Sequence, residues 1–324
     1  MAANIAESDM PYWSVNMDKV IAIIGPTAVG KTSLSFFLAE KLHTELISGD
    51  AYQIYKKMNI GTAKPSDKEL ALVPHHFVNI LEPHENFNVF DFKLMAEKLI
   101  ADLNAQGKIP LIVGGTGLYI KALLENYDFA AINEKNELRK ELESFADEYG
   151  NEALHAKLAA LDKEEAERLH FNDRRRIIRA IETALHGEKV SQERDDEIAY
   201  DVVVFGLRMS REKLYERIDL RVDAMVKDGL FAETKGLLDA GVSSDAQSMK
   251  SIGYKQAAQY FNGELTMAEA IDKTKQYTRN FAKRQVTWYN KMPYIKWFDL
   301  EDYSNYDQIV EEMHQILVKK YKLL

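Results

Sequence analysis

The chain has 324 residues, a formal net charge of −9 at pH 7 and no cysteine. Its hydrophobic content of 46% and charged content of 29% are typical of a globular protein. The lack of cysteine excludes disulfides, thiolate zinc sites and a cysteine nucleophile, and the acidic balance argues against coating nucleic acid by overall charge attraction. No apolar run approaches the length of a membrane span, and residues 1–17 lack a basic leader, so we expect a loose N-terminal arm on a cytoplasmic protein.

The segment IIGPTAVGKTSL at residues 23–34 contains a complete phosphate-loop pattern: Gly25, four residues, Gly30, Lys31 and Thr32. Its context fits, because the β-branched residues 20–24 predict a buried strand and residues 33–42 predict a helix. Such a loop directs its backbone N–H groups at an anion, Lys31 adds positive charge, and the Thr32 hydroxyl is suited to hold Mg²⁺. The predicted helix would place four apolar residues at helical spacing: Leu34, Phe37, Leu38 and Leu42.

Strand and helix signals alternate over the next hundred residues. TELISGD predicts a strand that ends at Asp50, and HHFVNIL predicts another, followed by an amphipathic helix from about Phe90 to Asn104. KIPLIVGGTGLY predicts a buried strand that runs into a glycine-rich turn, with a new helix near Leu118. This alternation predicts an α/β fold with a P-loop NTPase-like parallel sheet core flanked by helices.

The pattern changes in the middle of the chain. Residues 133–197 are rich in Glu, Lys, Ala and Leu with helical periodicity and no convincing strand, which predicts an all-helical insertion. DVVVFGLRM restores strand character, and the chain from Arg211 onward is mostly helical in pattern. We therefore predict four parts: the arm 1–17, the first part of the core 18–130, the insertion 131–197, and the second part of the core 198–324.

Two basic clusters stand out in this acidic chain. RRRIIR occupies residues 174–179, and residues 273–291 combine six cations with aromatic residues and no acid. A solvated helix face explains either cluster alone, but two clusters with interleaved aromatics favour a groove for a polyanion. The second cluster contains Lys273, Lys275, Arg279, Lys283, Arg284 and Lys291, with Tyr277, Phe281, Trp288 and Tyr289.

Nucleotide hydrolysis is poorly supported. The strand PLIVGG ends in glycines rather than in the second acid that a phosphate-loop hydrolase uses to organise Mg²⁺ and water. The guanine-reading Asn-Lys-x-Asp element of GTPases is also missing, since the Asn-Lys pair in NKMP lacks the aspartate. Asp50 lies where ligands bind in α/β sheets, at the carboxyl end of a strand. It is either a turn aspartate or a general base beside the bound phosphates.

Seven segments occur in the order and approximate spacing of the bacterial tRNA dimethylallyltransferases, also called tRNA isopentenyltransferases. They are GPTAVGKT, ISGDAYQIYKKMNIGTAKP, LIVGGTGLY, NDRRRIIRAIE, RIDLRVDAMVKDGLFAE, SIGYK and TRNFAKRQVTWY. The chain resembles this family from about Val20 to Tyr289. One departure is Ala51, where the family usually has serine, so a backbone contact is expected to replace a hydroxyl contact there.

The resemblance implies an activity. A dimethylallyl group would move from dimethylallyl diphosphate to N6 of the adenosine adjacent to the anticodon, in tRNAs that read codons beginning with U. Pyrophosphate would be released, Mg²⁺ would be the cofactor, and the protein would act as a monomer without an obligate protein partner. The bond broken would be carbon to oxygen, which explains why no water-activating acid is needed.

Residue roles are also implied by the resemblance. Catalysis is assigned to Asp50 as general base, with Lys31, Arg221 and Thr116, and the metal to Thr32. Diphosphate binding is assigned to Gly25, Pro26, Thr27, Ala28, Val29, Gly30, Lys31, Thr32 and Arg221, with Arg217 an additional candidate. Contact with the tRNA anticodon stem-loop is assigned to Asp50, Ala51, Tyr52, Gln53, Thr116, Arg139, Arg175, Arg176, Ile177, Ile178, Arg179, Arg279, Lys283 and Arg284.

Purely structural interpretations remain open for several of these residues: a salt-bridged helix face for Arg217 and Arg221, and a helix N-cap for Thr116. The doublet His75–His76 suggests a metal, but no other ligand at suitable spacing supports one. Three other functions also remain open. They are a small-molecule or nucleoside kinase, a prenyltransferase for free adenine nucleotides, and a nucleotide-dependent RNA-binding switch without enzymatic activity.

Overall fold

The computed structural model describes residues 17–125, 127, 136–185 and 198–323. Its centre is a sheet of six parallel strands in the order β3-β2-β4-β1-β5-β6. The strands are β1 Lys19–Ile24, β2 Leu46–Ser48, β3 His75–His76, β4 Leu111–Gly114, β5 Asp201–Arg208 and β6 Ile295–Asp299. The predicted parallel sheet flanked by helices is thus confirmed.

Helices connect the strands. Those of the sheet-containing part are α1 Lys31–Leu42, α2 Asp67–Leu72, α3 Val89–Ala105, α4 Gly117–Leu124, α9 Arg211–Lys227, α10 Leu230–Asp239, α11 Tyr254–Phe261, α12 Met267–Tyr289 and α13 Tyr306–Tyr321. Between α4 and β5 lie α5 Asn136–Tyr149, α6 Asn151–Leu161, α7 Lys163–Arg168 and α8 Arg174–Leu185. None of the helices within the described ranges is both long and apolar enough to cross a membrane.

The described residues form two compact units, one from residues up to 120 together with those from 199 onward, and one from residues 121–198. The first unit contains the sheet. The second has its own apolar core, formed by α5, α6 and α8, with Leu142, Leu154, Leu158, Ile177 and Ile181 among its buried residues. The predicted arm 1–17 lies outside the described residues except for Met17, and so do residues 186–197 of the predicted insertion.

The register of the sheet decides where the site forms. Residues 20–24 of β1 are fully buried because strands and helices cover them on every side. Ile24 pairs with Gly114 and Ser48 pairs with Val113, so β1, β2 and β4 end at the same level. The loops that follow these three strands therefore meet at one edge of the sheet, which is where ligands bind in open α/β folds.

The local predictions needed several corrections. β2 ends at Ser48, two residues before the predicted end at Asp50, and the predicted strand HHFVNIL is reduced to His75–His76. Phe77 and Asn79 have φ values of 65° and 58°, which interrupt an extended chain. Phe37 is 46% exposed rather than on the buried face of α1. The prediction also missed β6, an edge strand of five residues in which only Ile295 and Phe298 are buried, so it lacks the alternation that is typical of a half-buried strand.

Candidate active site

The phosphate loop, residues 25–32, leaves the end of β1 and enters α1 at Lys31. Gly25 and Gly30 have φ values of 151° and 111°, a backbone conformation that favours glycine. The Lys31 ammonium donates hydrogen bonds to the carbonyl oxygens of Gly25 (2.9 Å) and Pro26 (2.8 Å), which holds it against the loop. The loop thus has the geometry that its sequence pattern predicts.

Four cationic side chains border a cavity of about 470 Å³ beside this loop: Lys31, Lys64, Arg217 and Arg221. Burial, reinforced by the charge of Arg221, lowers the pKa of Lys31 to about 7. Burial also lowers the pKa of Lys64 to about 8 and depresses the pKa of Arg221. Burial disfavours the charged forms of all three side chains, and a bound anion would stabilise those charged forms. The cluster therefore indicates an anion-binding site.

Arg217 and Arg221 lie one turn apart on α9. The Arg217 Nε donates a hydrogen bond to the carbonyl oxygen of Ala28 (3.0 Å), so this arginine supports the phosphate loop from outside. Arg221 borders the cationic cavity and three further cavities. Both predicted arginines therefore lie at the phosphate loop. Arg217 contacts its backbone, and Arg221 lies where the cavities meet.

Asp50 lies in the loop after β2. One of its carboxylate oxygens, Oδ1, accepts hydrogen bonds from the backbone N–H groups of Tyr52 (2.9 Å) and Gln53 (3.3 Å), which fixes the side chain in a turn. The carboxylate favours the charged forms of Lys31 and Arg221 electrostatically, so these groups sense its charge. The turn and the general-base interpretations are compatible, because the turn uses only one of the two oxygens.

A second cavity, of about 430 Å³, adjoins the first and has mixed polar and apolar walls. Its apolar wall comes from α9 and α12, and Asp50 and Arg221 border it on the side nearest the phosphate loop. Both also border a small space of about 80 Å³ that contains Lys31 and Thr32. The other residues of the mixed cavity include Tyr52, Thr116, Ile218, Val222, Phe281 and Arg284.

Thr116 follows β4 and contributes a hydroxyl to this region. Its Oγ1 accepts a hydrogen bond from the backbone N–H of Ala51 (3.2 Å), next to Asp50. This is a backbone contact at the position where the resemblance led us to expect one. The Thr116 hydroxyl thus contacts the segment that carries Asp50, which is a different role from the helix N-cap considered above.

The donors present fit Mg²⁺. Thr32 and Asp50 border the same small space and offer hydroxyl and carboxylate oxygens, and Mg²⁺ prefers oxygen ligands, of which substrate phosphates commonly supply several. Among the described residues no group of three or more His, Cys, Asp or Glu is suited to hold a metal. His75 Nδ1 lies 2.7 Å from Val73 O, and His76 Nε2 lies 2.7 Å from Glu45 Oε2, so this doublet has structural partners.

Two residues of the site were not singled out from the sequence. Lys64 reaches the cationic cavity from the loop before α2, and its ammonium donates hydrogen bonds to Asn79 Oδ1 (2.6 Å) and to the backbone oxygen of Tyr55. Gln285 lies on α12 and borders the small space beside Asp50. Both lie within segments that carry the family resemblance, but only the fold shows that they face the phosphate loop.

The basic helix α12 divides into paired and exposed cations. Arg279 forms an ion pair with Asp219, and Lys275 forms one with Asp223 (2.6 Å), so these two residues tie α12 to α9. Lys283 and Arg284 are exposed. Arg284 also borders the mixed cavity and lies 5.8 Å from the ring centre of Phe281. Arg279 therefore links two helices through its ion pair, and its contact with tRNA stays a prediction.

The second unit contains the remaining residues predicted to contact tRNA. Arg139 makes two hydrogen bonds to the buried Glu182 (2.9 and 2.6 Å), whereas Arg175 and Arg176 are exposed. Ile177 and Ile178 correct the prediction, because they are 0% and 3% exposed and pack in the core of this unit. Their side chains thus form no part of a tRNA-binding surface. Arg179 is half-buried and lies 3.8 Å from Glu182.

A phosphate loop at the carboxyl edge of a parallel sheet, four cations around one cavity and an aspartate in the small space beside the loop define a phosphate-loop protein with a site suited to a polyphosphate group. The aspartate also borders the mixed cavity, which is large enough for a further ligand. This is the class that the fold and the site establish together.

The comparisons with known proteins agree. The family model described as IPP transferase matches residues 53–292. A tRNA dimethylallyltransferase of Halalkalibacterium halodurans is 43% identical over 308 residues, 94% of this chain and 98% of that protein. One from Geobacillus kaustophilus is 44% identical over 311 residues, again 94% and 98%. The chain belongs to the IPP transferase family.

Solved structures are similar over the same extent. The tRNA isopentenylpyrophosphate transferase of Bacillus halodurans has a TM-score of 0.72 at 42% identity and covers 94% of this chain and 97% of its own. A eukaryotic dimethylallyltransferase described as acting on tRNA has a TM-score of 0.81 at 27% identity, covering 94% of this chain and 79% of its own. The family predicted from the seven sequence segments is thus confirmed.

Proposed function

We propose that the protein transfers a dimethylallyl group from dimethylallyl diphosphate to N6 of the adenosine adjacent to the anticodon of tRNA. A bond forms between N6 and C1 of the prenyl group, the bond between C1 and the diphosphate oxygen breaks, and pyrophosphate leaves. Membership of the family and the names of its members support the reaction class. At the level of the site, the proposal rests on the position of Asp50, which borders both the mixed cavity and the small space that contains Lys31 and Thr32.

The two cavities divide the substrates between them. The cationic cavity takes the diphosphate, where loop N–H groups, Lys31 and Arg221 stabilise the negative charge that grows on the leaving group. The mixed cavity takes the adenine, which must leave its stack to bring N6 to the prenyl carbon. An anticodon loop makes this less costly, because its bases are already partly unpaired.

Asp50 accepts the proton that N6 loses as the new bond forms. The Oδ1 contacts with Tyr52 and Gln53 orient the carboxylate, and the second oxygen is left for the amine. Thr116 supports this arrangement through the backbone of Ala51. Mg²⁺, held through Thr32 and the diphosphate, would supply further charge neutralisation.

Exposed cations are suited to the remainder of the tRNA. We assign Lys283 and Arg284 of α12 to the phosphate backbone near the adenine cavity, and Arg175 and Arg176 of the second unit to another part of the anticodon stem-loop. We further propose that the protein acts in the cytoplasm, where its tRNA substrate is found, and as a monomer.

The test is mass spectrometry of nucleosides from unmodified tRNA that has been incubated with the protein, Mg²⁺ and dimethylallyl diphosphate, without ATP. We expect a prenyl mass on the adenosine adjacent to the anticodon. Parallel incubations replace tRNA with free adenine nucleotides, or add ATP or GTP. Prenylation of free adenine nucleotides but not of tRNA would identify the related nucleotide prenyltransferases, and phosphate transfer from the added ATP would identify a kinase. Binding of ATP or GTP without any product would indicate an RNA-binding switch. Each of these three results would overturn the proposal.

A further inference from the structure

Gln285 is a buried side chain of α12 that joins two loops of the site. Its Oε1 accepts a hydrogen bond from the backbone N–H of Thr27 in the phosphate loop (2.8 Å). Its Nε2 donates one to the carbonyl oxygen of Gly115 in the loop after β4 (2.7 Å). The residue is 5% exposed, and both ends of its amide are satisfied. One side chain thus fixes two backbone segments that are distant from it in sequence.

Gly115 lies directly against the amide of Gln285. A Cβ at this position would lie 2.4 Å from the Gln285 Nε2, closer than any real contact. The φ of Gly115 is outside the left-handed region, so backbone conformation does not require glycine there. Glycine at residue 115 therefore makes room for the amide of Gln285.

The loop that Gln285 holds is the loop that supports the catalytic carboxylate. Gly115 precedes Thr116, whose hydroxyl accepts a hydrogen bond from the N–H of Ala51, the neighbour of Asp50. On its other side, Gln285 fixes the peptide of Thr27, a residue that borders both the small space beside Lys31 and the mixed cavity. The sheet brings these loops to the same edge, and Gln285 adds a direct link between the phosphate loop and the loop that contacts the Asp50 segment.

We propose that Gln285 is a positioning residue that sets the phosphate loop and the Asp50 segment at the separation needed for transfer. This inference rests on the proposed function for its catalytic consequence. Its structural part concerns binding of a diphosphate, which can be measured without the transfer reaction. Gln285 touches neither the reacting carbon nor the amine in this assignment, and it acts through Thr27 and Gly115.

The test uses Gln285→Met, which keeps an unbranched side chain of similar length but loses both hydrogen bonds. Gln276→Met is the matched control, since Gln276 lies exposed on the same helix. Binding of inorganic pyrophosphate with Mg²⁺, tRNA binding, kcat, KM for dimethylallyl diphosphate and the melting temperature are measured for both. We expect Gln285→Met to lose about ten-fold in pyrophosphate affinity and at least as much in kcat, with tRNA affinity close to the control. The melting temperature should fall below that of the control, because the Thr27 N–H and the Gly115 carbonyl lose their partner.

A double-mutant cycle separates positioning from a general loss of packing. Gly115→Ala alone should cause a similar loss, because its Cβ displaces the amide. Adding Gly115→Ala to Gln285→Ala should cause little further loss, because no amide is left to displace. Losses that add in the double variant, or a Gln285→Met variant with the pyrophosphate affinity and kcat of the control, would overturn the inference.

If the wild-type protein fails to bind pyrophosphate, the inference falls together with the proposed function. If it binds pyrophosphate but forms no product, only the catalytic consequence falls.

Discussion

At the scale of single residues, the proposed chemistry depends on the Asp50 carboxylate. One of its oxygens holds the turn, and the other can accept the proton of the amine. The Oδ1 of Asp50 is used by the backbone N–H groups of Tyr52 and Gln53, which leaves the second oxygen for a proton. Near it, Lys31 and Arg221 carry the positive charge that a leaving diphosphate needs. The proposed base and the cations for the leaving group therefore border the same small space.

Replacing Asp50 by asparagine tests this division. Asparagine keeps an oxygen for the turn but cannot accept the amine proton, so we expect turnover to fall by about 10²–10⁴-fold while pyrophosphate and tRNA binding are retained. Single-turnover kinetics with bound substrates measures the effect. The exposed Asp102→Asn on α3 is the control for the same chemical change. Near-normal turnover of Asp50→Asn would remove Asp50 from its assigned role.

The lowered pKa of Lys31 predicts proton uptake on diphosphate binding. In the free protein burial holds this pKa at about 7, and the negative charge of a bound diphosphate raises it again. Above pH 7 the complex then holds more protons than the free protein, so pyrophosphate affinity should fall as the pH rises, by up to about ten-fold per pH unit.

Calorimetry in buffers of different ionisation enthalpy measures this uptake. Comparison with Lys31→Gln removes the contribution from pyrophosphate itself, since that ligand titrates equally with both proteins. The variant should take up fewer protons than the wild-type protein at pH 8. Equal proton uptake by both would contradict the assignment of the low pKa to Lys31.

At the scale of elements, the site is assembled by contacts that the sequence pattern could not reveal. The phosphate loop and the position of Asp50 could be predicted because a strand, a turn and a helix adjacent in sequence determine them. Gln285, Lys64 and the contact of Arg217 with Ala28 join segments far apart in sequence, so no local pattern encodes them. The resemblance assigns Ile177 and Ile178 to tRNA contact together with Arg175, Arg176 and Arg179, but their side chains pack in the core of the second unit.

One such contact anchors the loop that carries Lys64. The Glu233 carboxylate on α10 accepts hydrogen bonds from the backbone N–H groups of Asn59 (3.0 Å) and Ile60 (3.0 Å), and the Tyr254 hydroxyl donates to it as well. The buried Tyr254 ring also leaves no room for a Cβ on Gly61. A single carboxylate thus orders a loop that has little regular structure.

Removal of this anchor should destabilise the protein. Glu233→Ala leaves several donors without their partner, so we expect a loss of about 2 kcal/mol in the free energy of unfolding. Lys235→Ala, two residues away, breaks only an exposed pair with Asp239 and should cost less than about 0.5 kcal/mol. Denaturant titration compares the two variants. A Glu233→Ala protein as stable as Lys235→Ala would show that the loop is held by other contacts.

At the scale of the whole molecule, two units with separate cores carry different tasks in the proposed reaction. The sheet-containing unit holds the phosphate loop and both cavities, and the helical unit presents Arg175 and Arg176 on the outer side of α8. The sequence indicated this division, because strand signals stop and charged helical periodicity begins near residue 133. The exact boundary could not be predicted, since α4 continues from one unit into the other.

Charge reversal in the helical unit should affect tRNA alone. Arg175→Glu with Arg176→Glu is expected to weaken tRNA binding and to reduce its dependence on salt, because fewer counterions are released, while pyrophosphate affinity stays unchanged. Binding titrations over a range of salt concentrations measure the slope. Ile177→Ala is the contrasting variant, since it should cost about 2–5 kcal/mol of stability in its own unit. An unchanged slope for the arginine variant would exclude this cluster from the interface.

The central claim is that a phosphate loop serves a reaction in which carbon–oxygen cleavage releases pyrophosphate to a cationic cavity. Dimethylallyl diphosphate labelled with ¹⁸O at the bridging oxygen, incubated with the protein, Mg²⁺ and unmodified tRNA, tests it most directly by mass spectrometry of both products. We expect unlabelled prenyl-adenosine beside the anticodon and all of the label in pyrophosphate. Label recovered in dimethylallyl alcohol, or phosphate transferred to another acceptor, would show cleavage between phosphorus and oxygen and would contradict it.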